Sequence, residues 1–232
     1  MRSATEIIMD RDHELTVVPS WGKKYMRFRQ GDQQDLNDPT GIDIEEGELL
    51  YGIIRMLKPD NVLETGTNLG ISTRYIGVAL ECNNRGHLIT VEHDTTICGR
   101  AAVKLASYPR VELVRGDATT LTTDRMFDFM WLDTELHTRY AEAARFWECL
   151  KPGGMIGLHD LPHVIMPQFG PVPPQLREKM KIGELRFICF NSEHGVTLMQ
   201  KSQGQVWGML SEGKIWCGVD TFDGIERGVI PC

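Results

Sequence analysis

The sequence predicts a doubly wound α/β domain with a mostly parallel sheet, and three observations carry that expectation. Short apolar runs that read as strands alternate with amphipathic runs that read as helices between residues 44 and 160. The strand runs, "NVLET", "GHLITVEH", "MFDFMWLD" and "GGMIGLHD" among them, are apolar over most of their length, as in a sheet covered on both faces. The first of them gives way at once to a glycine turn and a helix start in "VLETGTNLGIST", residues 62–73. Ligands of open α/β sheets bind beyond such strand ends.

Regular structure is expected to begin at "DIEEGELLYGIIRMLKP". Asp43 can cap this helix, acids fill its first turn, Leu49, Leu50, Ile53, Ile54 and Leu57 follow helical spacing, and Pro59 stops it. The strand "NVLET" and the helix "ISTRYIGVALEC" come next, then the strand "GHLITVEH" and the helix "TTICGRAAVKLASY". "RVELVRG" and "MFDFMWLD" read as strands, "RYAEAARFWECL" as a helix and "GGMIGLHD" as a strand. The proline-rich "LPHVIMPQFGPVPPQ" reads as a surface loop, followed by a helix around "QLREKMKIG". "ELRFICFN" and "GVTLMQK" are joined only by the short "SEHG", so they should pair antiparallel.

Three units follow from this reading: a polar N-terminal cap or lid over 1–43, the sheet domain over 44–200, and a glycine-rich hairpin extension over 201–232. Within the cap, "WGKKYMRFRQ" sets Lys23, Lys24, Arg27 and Arg29 beside Trp21, Tyr25 and Phe28. Such a segment suits either a lid over an anionic or aromatic ligand or a solvated helix packing its aromatic residues on the domain.

The 232 residues are 41% hydrophobic and 25% charged, which suits one globular domain with decorations. A net charge of −7 speaks against broad nucleic-acid binding, which needs lysine and arginine to neutralise phosphates. The six cysteines, at 82, 98, 149, 189, 217 and 232, show no metal-ligand spacing and several fall in apolar runs. They read as free thiols of a reducing compartment. The N-terminal run lacks a long apolar stretch, so no signal peptide or membrane span is expected, and a cytoplasmic location is.

Acids recur where the strands end. Glu64 closes the first, Glu92 the second ("LITVEHD"), Asp117 follows the third ("VELVRGDATT"), Asp133 the fourth and Asp160 the fifth. The phosphate-cradling G-x-G-x-x-G is absent, because three residues separate Gly66 from Gly70, and this lowers a dinucleotide reading. In order, "VLETGTNLG", "TVEHD", "VRGDA", "FDFMWLD" and "LKPGGMIGLHD" resemble the motifs of the class I S-adenosylmethionine-dependent methyltransferases over about residues 44–200. The resemblance implies a Rossmann-like, seven-stranded sheet with its last strand antiparallel. It places Glu64, Gly66, Thr67, Asn68, Gly70 and Ser72 near the methionine moiety of S-adenosylmethionine, Glu92 and His93 near the ribose, and Asp117 and Ala118 at the adenine. Asp133 then also borders the cofactor. Several acids around a cleft suit an ammonium, ribose hydroxyls and a sulfonium better than a pyrophosphate.

"WLDTELHTRY" and "GLHDL" resemble the catechol-type and sugar-type O-methyltransferases, and signatures of base methylation are absent. The resemblance implies transfer to a hydroxyl of a small molecule, a sugar, phenol or secondary metabolite, with Asp133 and Asp160 holding a divalent cation such as Mg2+. Glu135, His137 and His159 could complete its shell, and His159, Asp133 and His137 are the expected catalytic residues, His159 leading as base. Two departures stand against a catechol-type site: Leu161 follows Asp160 where those enzymes carry Asn, and no lysine follows Asp133 closely. A protein or nucleic-acid methyltransferase and a nicotinamide-dependent oxidoreductase are the alternative readings. The expected partner is a small-molecule acceptor, with no membrane and no nucleic acid, and homodimerisation is left open.

Overall fold

The computed structural model describes residues 16–17, 26–27, 42–161, 172–191 and 194–202. Residues 162–171 of the proline-rich loop, nearly all of the N-terminal cap and C-terminal hairpin, and Cys217 and Cys232 lie outside these residues. Within the cap only a two-residue antiparallel ladder, Thr16–Val17 with Met26–Arg27, is described.

Seven strands form one sheet: β1 (Asn61–Thr65), β2 (His87–Glu92), β3 (Val111–Arg115), β4 (Phe127–Leu132), β5 (Leu150–His159), β6 (Leu185–Phe190) and β7 (Val196–Lys201). Their order is β3-β2-β1-β4-β5-β7-β6. β1 to β5 pair in parallel, and β7 runs antiparallel to both of its neighbours. The expected fold class is therefore observed, including the antiparallel last strand. Among the described residues, five α-helices flank the sheet: α1 (Ile44–Leu57), α2 (Ile71–Asn83), α3 (Thr95–Leu105), α4 (Arg139–Phe146) and α5 (Pro174–Lys181).

The core divides along the sheet. On one side Leu50, Ile53 and Ile54 of α1 pack with Ile76, Ala79 and Leu80 of α2 over Val62, Leu88, Phe129 and Trp131. On the other, Tyr140, Ala143 and Phe146 of α4 join Trp147, Leu158, Leu161 and Leu176 over Leu63, Met130 and Leu132. The central strands are buried on both faces, which is why they read as unbroken apolar runs. Trp131 lies beside Gly157, where a Cβ would stand 2.4 Å from its ring.

Three elements differ from the sequence reading. The "LKPGG" turn belongs to β5 as an irregularity: Phe127 pairs with Leu150, yet Phe129 pairs with Met155, so the extra residues loop out around Gly153 at φ 82°. α5 starts at Pro174, one residue before the expected glutamine, because proline suits the first helical position. Asp43 precedes α1 without a side-chain capping bond, its carboxylate lying 3.5 Å from His194 Nδ1 instead.

The strand order reverses direction between β1 and β4. Asp133 N–H donates to the carbonyl of Thr65 at 2.9 Å, so both strands open onto the same rim. That is the switch point at which such sheets bind ligands.

Candidate active site

The turn after β1 is braced from below by a buried acid. Glu64 accepts hydrogen bonds from Ser72 Oγ at 2.5 Å, Thr73 Oγ1 at 2.6 Å and Thr90 Oγ1 at 2.6 Å. Ser72 and Thr73 lie in the first turn of α2, whose N-cap, Gly70, has no side chain to offer. The carboxylate thus serves the helix start from the neighbouring strand, on the side where the helix dipole favours an anion. Glu64 is fully buried. Both of its oxygens are engaged within the fold, so the structure seats it as a brace for the turn, not as a direct ligand.

Burial pushes Glu64 up to about 7, against the pull of its three hydroxyl donors, and Asp133 nearby adds to the rise. A folded value above the ordinary 4.5 means that this group's stabilisation is complete below about pH 4.5 and is lost as pH rises through 7. Urea unfolding across that window should show stability falling with pH, by up to about 3 kcal/mol from this group at about 1.4 kcal/mol per pH unit. The fall should be much shallower in Glu64→Gln; equal slopes in both proteins would sink the assignment.

Above this brace runs the turn itself. The amides of Gly66 and Thr67 donate to the Val91 carbonyl at 3.0 and 3.2 Å, and Thr67 Oγ1 bonds Thr90 Oγ1 at 2.6 Å. Gly66 at φ 81° and Gly70 at φ 77° take left-handed conformations, as does Asn68 at 47°. Glu92 ties this turn to the next strand end, accepting from Asn68 N–H and Asp94 N–H at 2.9 Å each. His93 is exposed, its Nδ1 3.4 Å from Glu92. Asp117 accepts from the amide and hydroxyl of Thr119, which holds its carboxyl below the ordinary range. Ala118 is buried, and its carbonyl, with those of Thr119 and Leu121, is gripped by Arg145 of α4.

The rim beyond β4 and β5 is built around two residues the sequence reading passed over, Arg139 and Glu46. Arg139, buried at the start of α4, donates through Nη2 to Asp133 Oδ1 at 2.8 Å, Asp160 Oδ2 at 3.1 Å and the Thr134 carbonyl at 2.9 Å. Its Nη1 donates to the His159 carbonyl, and Nε is buried with no partner among the described residues. Glu46 of α1 reaches His159 Nε2 at 3.0 Å and accepts from Gly195 N–H at 3.2 Å. His159 Nδ1 faces Asp133 Oδ1 at 3.0 Å and Asp160 Oδ2 at 3.5 Å.

The expectation that His159 leads as base is corrected by this geometry. The residue is 0% exposed and lies between carboxylates on both ring nitrogens. Burial opposes its charge, but Asp133, Glu46 and Asp160 outweigh burial and push it up to about 10. With carboxylates at both ring nitrogens and no exposed surface, the ring is not open to an acceptor hydroxyl. Asp133 and Asp160 do come together on the rim as expected, with side chains 11% and 27% exposed. Asp160 adopts φ 56°, which asparagine and aspartate tolerate better than most residues and which marks a constrained site. Glu135 and His137 are exposed on the turn before α4, and no ion pair links them to this cluster among the described residues.

The sequence carried signals for both missed residues. Arg139 shares helical spacing with buried Ala143 and Phe146, so a basic residue falls on an apolar face at a helix start. Glu46 stands in the same relation to Leu50 and Ile53.

The seven-stranded sheet with its antiparallel last strand is the fold that the resemblance implied. Residues 63–161 match the model of a family described as a methyltransferase domain, in line with the resemblance. Solved structures share the fold. The O-methyltransferase TomG from Streptomyces achromogenes, involved in tomaymycin synthesis and in complex with S-adenosylmethionine, is 22% identical, with 74% of this chain and 85% of that chain covered at a TM-score of 0.57. An O-methyltransferase from Bacillus cereus in complex with S-adenosylhomocysteine is 15% identical, with 87% and 92% covered and a TM-score of 0.59. The methyltransferase PaMTH1 from Podospora anserina, bound to S-adenosylhomocysteine, is 15% identical, with 86% and 95% covered and a TM-score of 0.60. No curated protein sequence matches. Among the described residues, no helix is long and apolar enough to cross a membrane.

Proposed function

We propose that the protein is an S-adenosylmethionine-dependent methyltransferase that moves a methyl group to a hydroxyl of a small molecule such as a sugar, phenol or secondary metabolite. The observation that carries this reading is the turn of Gly66 to Gly70, fixed from beneath by Glu64 and from the side by Glu92, opening onto the same rim as Asp133. S-adenosylmethionine, when bound, supplies a methyl group on a cationic sulfur. The turn of Gly66, Thr67 and Asn68 lets the main chain approach the methionine moiety. Glu92, whose oxygens keep lone pairs beyond the two amides they accept, takes the ribose hydroxyls. Asp117 and the Arg145-held loop at Ala118 border the adenine.

On the acceptor side Asp133 and Asp160 orient the hydroxyl. His137, exposed on the turn between β4 and α4, is the base this reading assigns to take its proton. O-methylation is supported by TomG, involved in tomaymycin synthesis, and by the Bacillus cereus O-methyltransferase, which share the fold. The four described cysteines, Cys82, Cys98, Cys149 and Cys189, are free thiols and support the cytoplasmic reading.

Calorimetry tests the proposal directly. S-adenosylhomocysteine should bind and NAD should not, and Glu92→Ala should weaken binding by about 1.5–3 kcal/mol, the worth of a hydrogen bond to a charged group. NAD binding without S-adenosylhomocysteine binding would overturn the methyltransferase reading. Unchanged affinity in Glu92→Ala would move the ribose elsewhere.

A further inference from the structure

We propose that the guanidinium of Arg139, seated between Asp133 and Asp160, takes the place a divalent cation would otherwise fill, so that the rim works without bound metal and Arg139 is the residue that positions both carboxylates. This inference rests on the proposed acceptor role of the rim, but the cation chemistry can be tested apart from it.

Spacing alone would permit an ion. Ligand atoms of Asp133, His159 and Asp160 lie within 4.8 Å of one another. Occupancy and charge do not permit one. Arg139 Nη2 stands 2.8 Å from Asp133 Oδ1 and 3.1 Å from Asp160 Oδ2. A hard divalent cation binds carboxylate oxygens at about 2.0–2.6 Å, so it would have to share that gap with a guanidinium. Arg139 cannot simply swing aside, because it is buried and also donates to the carbonyls of Thr134 and His159.

The remaining ligands fail on chemistry. His159 has a carboxylate 3.0 Å from each ring nitrogen, Asp133 at Nδ1 and Glu46 at Nε2. Both ring nitrogens are thus engaged within the fold. Leu161, next after Asp160, is buried in the core and adds no oxygen. Without Arg139, the carboxylates of Asp133 and Asp160, with water, are the ligands left for a hard cation.

The location of Arg139 points the same way. It is the first residue of α4, at the end of a helix whose dipole disfavours a cation. A buried arginine there needs strong anionic partners, and Asp133 and Asp160 are those partners. Arg139 already brings a positive charge between Asp133 and Asp160, and a divalent ion in the same gap would face that charge at close range.

The test is Mn2+ binding to the full chain without cofactor or acceptor, followed by electron paramagnetic resonance and calorimetry. The wild-type protein should take up no stoichiometric Mn2+ at millimolar concentration. Arg139→Gln, checked for folding by circular dichroism, should acquire one Mn2+ and lose it again when Asp160→Asn is added. Stoichiometric Mn2+ in the wild-type chain, abolished by Asp160→Asn, would overturn the inference, and that measurement stands even if the arginine variant does not fold. A folded Arg139→Gln chain that takes up no Mn2+ would overturn it too, since the guanidinium would not be filling a cation's place. Titration with S-adenosylhomocysteine reads the methyltransferase proposal separately, so failure of either is distinguishable.

Discussion

Replacing Gly66 by alanine should destabilise the protein by about 3 kcal/mol or more and abolish cofactor binding. Gly66 sits at φ 81°, a left-handed conformation that costs an L-residue about 1–2 kcal/mol. A Cβ there would also stand 2.1 Å from the carbonyl oxygen of Asp133. That contact is with backbone, which cannot rotate away, and overpacking of this kind costs about 1–3 kcal/mol. Relief requires β1 and β4 to separate at the rim. Gly52 gives the matched control: it lies in α1, and a Cβ there meets nothing within 4 Å. Gly52→Ala should therefore gain about 0.5–1 kcal/mol by stiffening the unfolded chain within a helix. Urea midpoints moving in opposite directions for the two substitutions would bear this out. A Gly66→Ala protein of wild-type stability that still binds S-adenosylhomocysteine would refute it.

The fold was legible because its signals are local and periodic. Unbroken apolar runs in β1, β2, β4 and β5 reflect strands buried on both faces, and the short link between β6 and β7 forces them antiparallel. The "LKPGG" segment is less legible for the opposite reason. Proline and glycine mark a turn locally, but pairing of Leu150 with Phe127 carries the strand back beyond them.

The site was legible only at the strand ends. Glu64, Glu92, Asp117, Asp133 and Asp160 all fall where topology sets them, since strand ends of a parallel sheet share one rim. Their roles were not, because a role depends on partners distant in sequence. Glu64 reads as a ligand until Ser72, Thr73 and Thr90 are seen to occupy its oxygens. Glu46 and His159 are 113 residues apart, and no spacing rule joins an acid on a helix face to a histidine at a strand end. Arg139 escaped notice because an arginine in the first turn of an amphipathic helix looks solvated until its carboxylates are found.

Those distant partners give His159 the second large effect. Its ring joins Glu46 of α1 to Asp133 after β4, with both side chains nearly buried. Removing one member of a buried, paired set leaves the others without compensation, at a cost of about 3–5 kcal/mol. His159→Gln should lose stability in that range, because an amide can donate to one carboxylate but carries no charge to offset two. The pH dependence separates this from simple loss of packing. The folded ring is pushed from the ordinary 6.5 up to about 10, so its stabilisation is complete below about pH 6.5 and is lost as pH rises through 10. At about 1.4 kcal/mol per pH unit, that loss reaches the same several kcal/mol as the substitution. Wild-type stability should therefore fall between pH 6.5 and 9, while His159→Gln, already without the charge, should show a much flatter line. Nitrogen-15 spectra of the ring offer the direct reading. Both nitrogens should remain protonated at pH 8, and a neutral ring at that pH would rule out the charged bridge and reopen His159 as a base.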